Sequence, residues 1–168
     1  IDSFIDELVE SYTDFGGVLV RKGTKARPEV VPLQSIAFCD QTDFLSGAFA
    51  IKHYFSPVRL REMKEKGWDE EKIEELITFS ENKKHQDKYS QTNQPTGYYV
   101  EVYEVHGMFP QRFIRGNSEK YTRQIHVLGF YRNSTYKDQY ITLYKKEDSK
   151  LRFKILLRDK IRGRALGF

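Results

Sequence analysis

Residues 98–107 read YYVEVYEVHG, and the choice between strand and helix for this stretch decides the fold. Valine and tyrosine fill most positions and a glycine closes the run, a composition that suits a pleated, half-buried strand. As a strand it turns Glu101, Tyr103 and Val105 to one face and Val100, Val102 and Glu104 to the other. The same texture returns three times downstream, in RQIHVLGFYR (123–132), QYITLYKKE (139–147) and LRFKILLR (151–158), with turn-rich segments between. Strands at such short spacing predict an antiparallel meander. The fold class expected is α+β, with mostly antiparallel sheet in the C-terminal half and three short helices in the N-terminal half.

Upstream the punctuation is local and specific. Ile5, Leu8, Val9 and Tyr12 fall at helical spacing, so residues 2–12 are expected as a helix with one apolar stripe. Gly16-Gly17 ends it and releases the chain into a strand over Val18–Lys22. EVVPLQSIAF (29–38) is a second extended stretch that Pro32 confines to a sheet edge or bulge, because proline cannot donate to a ladder. GAFAIKHYF (47–55) reads as a strand. Ser56 then caps a helix with Pro57 at its first position and Gly67 at its stop, and Leu60, Met63 and Trp68 supply its apolar side. Asp69 caps a third helix, with Glu70 and Glu71 in the dipole-favoured first turn and Ile73, Leu76 and Ile77 as its buried stripe. Residues 83–97 are polar and interrupted by Pro95 and Gly97, which predicts a long or flexible loop.

The 168 residues fit one domain, 1–168, with a core of useful size. Aromatics make up 14 %, far from the composition of a disordered chain. The net charge of +4 comes from 28 basic residues interleaved with 24 acidic ones, a solvated mixed surface rather than a dedicated phosphate-gripping groove. A single cysteine excludes an intrachain disulfide, and a reducing compartment is expected. No apolar run approaches the roughly 18 residues of a membrane span. The sequon Asn133-Ser134-Thr135 reads as incidental. The chain opens without Met on IDSFIDELVESY and stops on RGRALGF, so a fragment of a longer polypeptide is expected.

Candidate chemistry concentrates in IAFCDQTDFLSGAFAIKH (36–53), which holds Cys39, Asp40, Asp43 and His53. Two carboxylates three apart admit a metal-dependent hydrolase, and Cys39 with a distant histidine admits a thiol nucleophile, although nothing local supports the second. Gln41, Thr42, Ser46 and Gly47 give the same stretch turn chemistry, in which Asp40 and Asp43 satisfy backbone groups between two strands. On that reading Cys39 is a small buried hydrophobe and His53 belongs to the next strand. His53, His85, His106 and His126 show no paired helical spacing, although His106 and His126 could meet across neighbouring strands. GTKARP lacks the second glycine of a phosphate-binding loop, and the Glu-x-Lys triplets at 62–64 and 70–72 lie on expected helices. No cofactor and no metal are expected.

Arg158, Lys160, Arg162 and Arg164 continue a basic run from Arg152 and Lys154, and they are the candidate contacts to nucleic acid or a partner. A nucleic-acid-binding module with a basic C-terminal strand is therefore the alternative function. Charges on an edge strand serve equally to block edge-to-edge pairing. Tyr98, Tyr99, Tyr103, Tyr131, Tyr140 and Tyr144 could stack on bases, but cross-strand packing is the reading preferred.

The order of the pieces resembles the portal (head-tail connector) proteins of tailed bacteriophages. A strand ends in FCDQTD (38–43) and is followed by a strand and a Ser-Pro helix containing LREM (60–63). VEVYEVHGMFP (100–110) looks like the Tyr- and Glu-bearing strand after the helices, and GRALGF (163–168) like the turn before the long helical body. The resemblance implies a wing-region fragment of a ring-shaped homo-oligomer at one capsid vertex of the virion, assembled in the host bacterial cytoplasm. Double-stranded DNA would pass through the ring, and terminase, major capsid and neck proteins would be its partners. It implies a structural role in genome packaging and head-tail joining, with no catalytic residues.

Overall fold

The computed structural model describes residues 2–23, 27–39, 45, 47–86, 99–133, 135, 137–157, 160–161 and 164–165, with backbone alone for 2, 82–86 and the last four. Among these lie three α-helices and two principal antiparallel sheets, the larger of which takes three of its five strands from the C-terminal half. The fold is α+β. Packing falls into two compact units, one of Ile1–Ile51, His106–Arg123 and Asp148–Phe168, the other of Lys52–Val105 and Gln124–Glu147.

The first unit begins with α1 (Asp2–Phe15), which ends where Gly16 adopts a left-handed φ of 70°. β1 (Gly17–Arg21) follows and becomes the centre of a three-stranded sheet, between Glu29–Val31 on one side and Phe153–Leu157 on the other. β2 (Glu29–Val31) stops at Pro32, whose carbonyl accepts from the Ser35 amide at 2.9 Å in a short 3-10 turn over Leu33–Ser35. The stretch 29–38 is thus two strands, β2 and β3 (Ile36–Phe38), and they belong to different sheets. The missing donor of Pro32 forces that break. Leu19 lies opposite both Val31 of β2 and Ile155 of β8 (Phe153–Leu157), fixing the register. Leu19, Val31, Phe49, Ile51 and Phe153 form the buried core. Phe153 meets Phe49 edge-on at 5.2 Å, and the buried His106 stacks on Phe49 at 5.1 Å and 12°.

Two expectations are corrected here. The meander stops at three strands, because the 151–158 segment pairs with β1 along Gly17↔Leu157 to Arg21↔Phe153 instead of following its predecessor. The apolar stripe of α1 also splits. Phe4, Leu8 and Tyr12 are half-buried around a buried Ser11, whereas Ile5 and Val9 sit on the solvent side, 49 % and 54 % exposed.

The five-stranded sheet has the order β3-β4-β5-β6-β7, with β4 (Phe49–Phe55), β5 (Val100–Pro110), β6 (Tyr121–Arg132) and β7 (Asp138–Glu147), and the second unit holds its residues within 52–105 and 124–147. Ser56 caps α2 (Pro57–Glu62) by accepting from the Arg59 amide at 3.2 Å, and a 3-10 turn over Met63–Lys66 ends at Gly67 with φ 87°. Asp69 caps α3 (Glu70–Gln86) through Oδ1 to the Lys72 amide at 3.1 Å. The helix reaches Gln86, so it takes in the first residues of the expected loop; 87–97 lie outside the described residues. Ile73, Leu76 and Ile77 close on Val100, Val102, Val127, Ile141 and Leu143, with Leu60 alongside. Register shifts between Val127↔Tyr144 and Leu128↔Thr142, leaving Leu143 as the extra residue of a bulge, so that the consecutive Leu143 and Tyr144 both pack against the core.

Gly129 sits under α3, where an added Cβ would lie 2.2 Å from Leu76 Cδ2. Leu76 is fully buried and cannot swing into open space. Gly129→Ala should therefore lower unfolding stability by about 1–3 kcal/mol, read from urea denaturation. An unchanged midpoint would show that the helix is not seated this closely.

Candidate functional site

The alternation of β4 and β5 turns Val100 and Val102 toward the core and Lys52, Tyr54, Glu101 and Tyr103 away from it. These outward residues form a connected polar and aromatic group on the second unit. Lys52 Nζ lies 3.2 Å from Glu101 Oε1 and 5.1 Å from the centre of the Tyr54 ring. The Tyr103 hydroxyl donates to the same Glu101 carboxylate. Tyr103 continues into an aromatic strip, meeting Tyr140 at 6.2 Å and Phe130 at 6.5 Å, while Phe130 and Tyr140 face each other across β6 and β7 at 5.5 Å.

The electrostatics follow from this geometry. Hydrogen bonds to Tyr54 and then to Glu101 hold the Lys52 ammonium well above the ordinary lysine range. Burial first, and then the hydrogen bond to Glu101, push the Tyr103 phenol up to about 12. Lysine and tyrosine are thus both fixed in their protonated forms, and one carboxylate serves both. Such a group offers a partner a cation and aromatic faces; it holds no poised base.

On the inward side of the same strands His53 Nε2 lies 3.0 Å from Glu104 Oε2, a half-buried cross-strand pair beside Phe55. His126 Nε2 is 2.8 Å from Gln124 Oε1, and burial followed by the facing Lys145 holds its pKa below the ordinary value. His106 packs between Phe49 and Phe153. These three histidines are therefore each engaged by different neighbours, and the side chain of His85 lies outside the described residues. Among the described residues no group of three or more His, Cys, Asp or Glu is arranged to hold a metal ion.

Cys39 is exposed, which corrects its reading as a buried hydrophobe. It follows the outward parity of Ala37 just past β3, while Ile36 and Phe38 turn inward. Asp40 and Asp43 lie outside the described residues, as do Arg158 and Arg162. The backbones of Lys160 and Arg164 belong to a short ladder of β9 (Lys160–Ile161) and β10 (Arg164–Ala165), where Arg164 pairs with Ile161. Arg152 is held by Asp148 at 3.4 Å, and Lys154 projects from β8, an edge strand. Tyr103, Tyr140 and Tyr131 pack against other rings, the last stacking on Phe79 at 4.6 Å, so these tyrosines act as cross-strand and helix-sheet partners. The Lys52–Glu101–Tyr103 group was not singled out from the sequence; its only signal was the outward parity of Lys52 and Tyr54 on one strand and of Glu101 and Tyr103 on another.

Among the described residues no helix is long and apolar enough to cross a membrane. Comparison with protein-family models, curated proteins and solved structures finds no match to the chain.

Ultraviolet titration should resolve one tyrosine ionising near about 12, and the Tyr103→Phe variant should lack that step. The neutral phenol is favoured in the folded state, so its contribution to stability is intact below 10 and is lost as pH climbs toward about 12. His126 runs the other way. Its lowered pKa gives stability that is present above the ordinary 6.5 and lost as pH falls below it, and His126→Gln should flatten that acid limb in denaturation measured from pH 7.5 to about 5.

Proposed function

We propose that this chain is the peripheral, wing-like part of a tailed-phage portal ring, a structural component of the capsid vertex through which double-stranded DNA is packaged and released. The observation that carries the reading is the order of its motifs on successive elements. β3 runs into the Cys39–Asp43 stretch, β4 follows, and a Ser56-Pro57 start then opens α2 with Leu60-Arg61-Glu62-Met63 on it. Val100–Pro110 is one strand of 11 residues, β5. Arg164 and Ala165 of the closing Gly-Arg-Ala-Leu-Gly-Phe segment come last.

Surface chemistry supports the same reading. On the first unit Ile5 and Val9, one turn apart on α1, are exposed beside carboxylates of the same helix, an apolar and charged pairing suited to a protein contact. On this reading the chain is not an enzyme: the aromatic strip and the Lys52–Glu101–Tyr103 group serve contact, and any nucleotide hydrolysis belongs to the terminase. Its partners are copies of itself, the major capsid protein, the terminase and the neck proteins, and its place is the portal vertex of the virion.

Negative-stain electron microscopy of the purified full-length protein should show rings with a central channel. A protein that remains a stable monomer at micromolar concentration would overturn the proposal.

A further inference from the structure

β8 borders the three-stranded sheet of the first unit, with β1 on its inner side. The Lys22 amide donates to the Arg152 carbonyl at 2.7 Å, one step beyond the Arg21↔Phe153 end of the β1–β8 register. Lys22 and Arg152 are therefore a hydrogen-bonded pair, and bonded and non-bonded pairs alternate along an antiparallel ladder. Val20↔Lys154 and Val18↔Leu156 are the next bonded pairs, so the N–H and C=O groups of Phe153, Ile155 and Leu157 point away from β1. Among the described residues no strand lies beyond β8, and no backbone hydrogen bond reaches those outward groups. Buried backbone groups without a partner are rare, so this edge meets water.

The side chains beside the edge decide what can lie there. Phe153 and Ile155 face the core of the unit, the first buried in it and the second packed against it. Lys154 is exposed on the other face, and Arg152 and Lys22 share that face by strand parity and by standing opposite each other. Arg152 is engaged by Asp148 at 3.4 Å, whereas Lys22 and Lys154 make no ion pair among the described residues. In a strand laid along β8, the residue opposite Lys154 would have its Cβ about 4.5–5.5 Å from that of the lysine, where a like charge is destabilising and a carboxylate is favoured. The same lysine opposes self-pairing. Two β8 edges joined about Ile155 would set the two copies of Lys154 at diagonal positions, about 7–8 Å apart.

We infer that the outer edge of β8 is a docking site for an extended acidic segment of a different protein, which adds to the sheet as a further strand. Its carboxylates lie on the face of Lys22 and Lys154, and its alternate apolar residues lie on the face of Phe153 and Ile155. The acidic, apolar stretch of this chain that alternates in that way, Val100–Val105, is already paired on both sides by β4 and β6, so another copy has no such strand to lend from there. Main-chain bonds to Phe153, Ile155 and Leu157 supply affinity without demanding a particular sequence, and the cations beside them select among partners. The site does not depend on the ring reading.

Amide hydrogen exchange resolved to single residues tests this in the full chain. The probes are the peptide acetyl-Thr-Val-Glu-Val-Glu-Val-Thr-amide and its counterpart with lysine in place of glutamate. In the free chain the amides of Phe153, Ile155 and Leu157 should exchange fast, and those of Lys154 and Leu156 slowly. The glutamate peptide should slow the outward amides by about tenfold or more, and the lysine peptide should not. Lys154→Glu, a change at an exposed position that leaves the bonds to β1 in place, should reverse the preference, a result that misfolding cannot produce. Outward amides already protected in the free chain, protection that needs only a higher protein concentration, or equal action of the two peptides would overturn the inference.

Discussion

The second unit is organised around the close approach of α3 to its sheet. Leu76 comes so near the strand that a methyl group at position 129 would collide with the tip of its side chain, and the glycine there avoids that collision. Everything else in that unit is arranged to deliver the helix to this spot. Ser56 starts α2, Gly67 turns the chain, and Asp69 starts α3 while its own amide donates to the Leu143 carbonyl at 2.8 Å. That last bond ties the entrance of the helix to the bulged residue of β7, so the bulge and the helix position are one feature. Burial of Ile73, Leu76 and Ile77 contributes roughly 1.5–3 kcal/mol for each side chain, more than any exposed ion pair on the same helix.

Local chemistry was the part of this architecture that the sequence disclosed. Caps and stops act within a few residues, so Ser56, Pro57, Gly67 and Asp69 could be read directly, as could the inward stripe Ile73, Leu76 and Ile77. Parity within β5 was equally legible. Partnership between distant segments was not. Nothing in LRFKILLR says that it will cross back to pair with Gly17–Arg21, and nothing in EVVPLQSIAF says that its two halves will serve different sheets. α1 shows the same limit on a smaller scale. Phe4, Leu8 and Tyr12 compete with Ile5 and Val9 for the inward face, and tertiary packing chose the first set. Cys39 went outward for a reason of parity, since its neighbours Ile36 and Phe38 had already taken the inner face.

The same division governs the functional surfaces. The Lys52–Glu101–Tyr103 group is built by strand register, which brings together residues some fifty positions apart, and no spacing rule finds it. Its chemistry is saturated: one carboxylate satisfies an ammonium and a phenol, and the surrounding rings are paired. On the first unit the carboxylates of α1 stay outward beside the exposed Ile5 and Val9. The order of motifs along the chain is why the proposed role is assembly.

Single-particle cryo-electron microscopy of the full-length protein, at a resolution that traces helices, tests the account most directly. The account predicts a closed ring around a channel. Particles of one copy would contradict it.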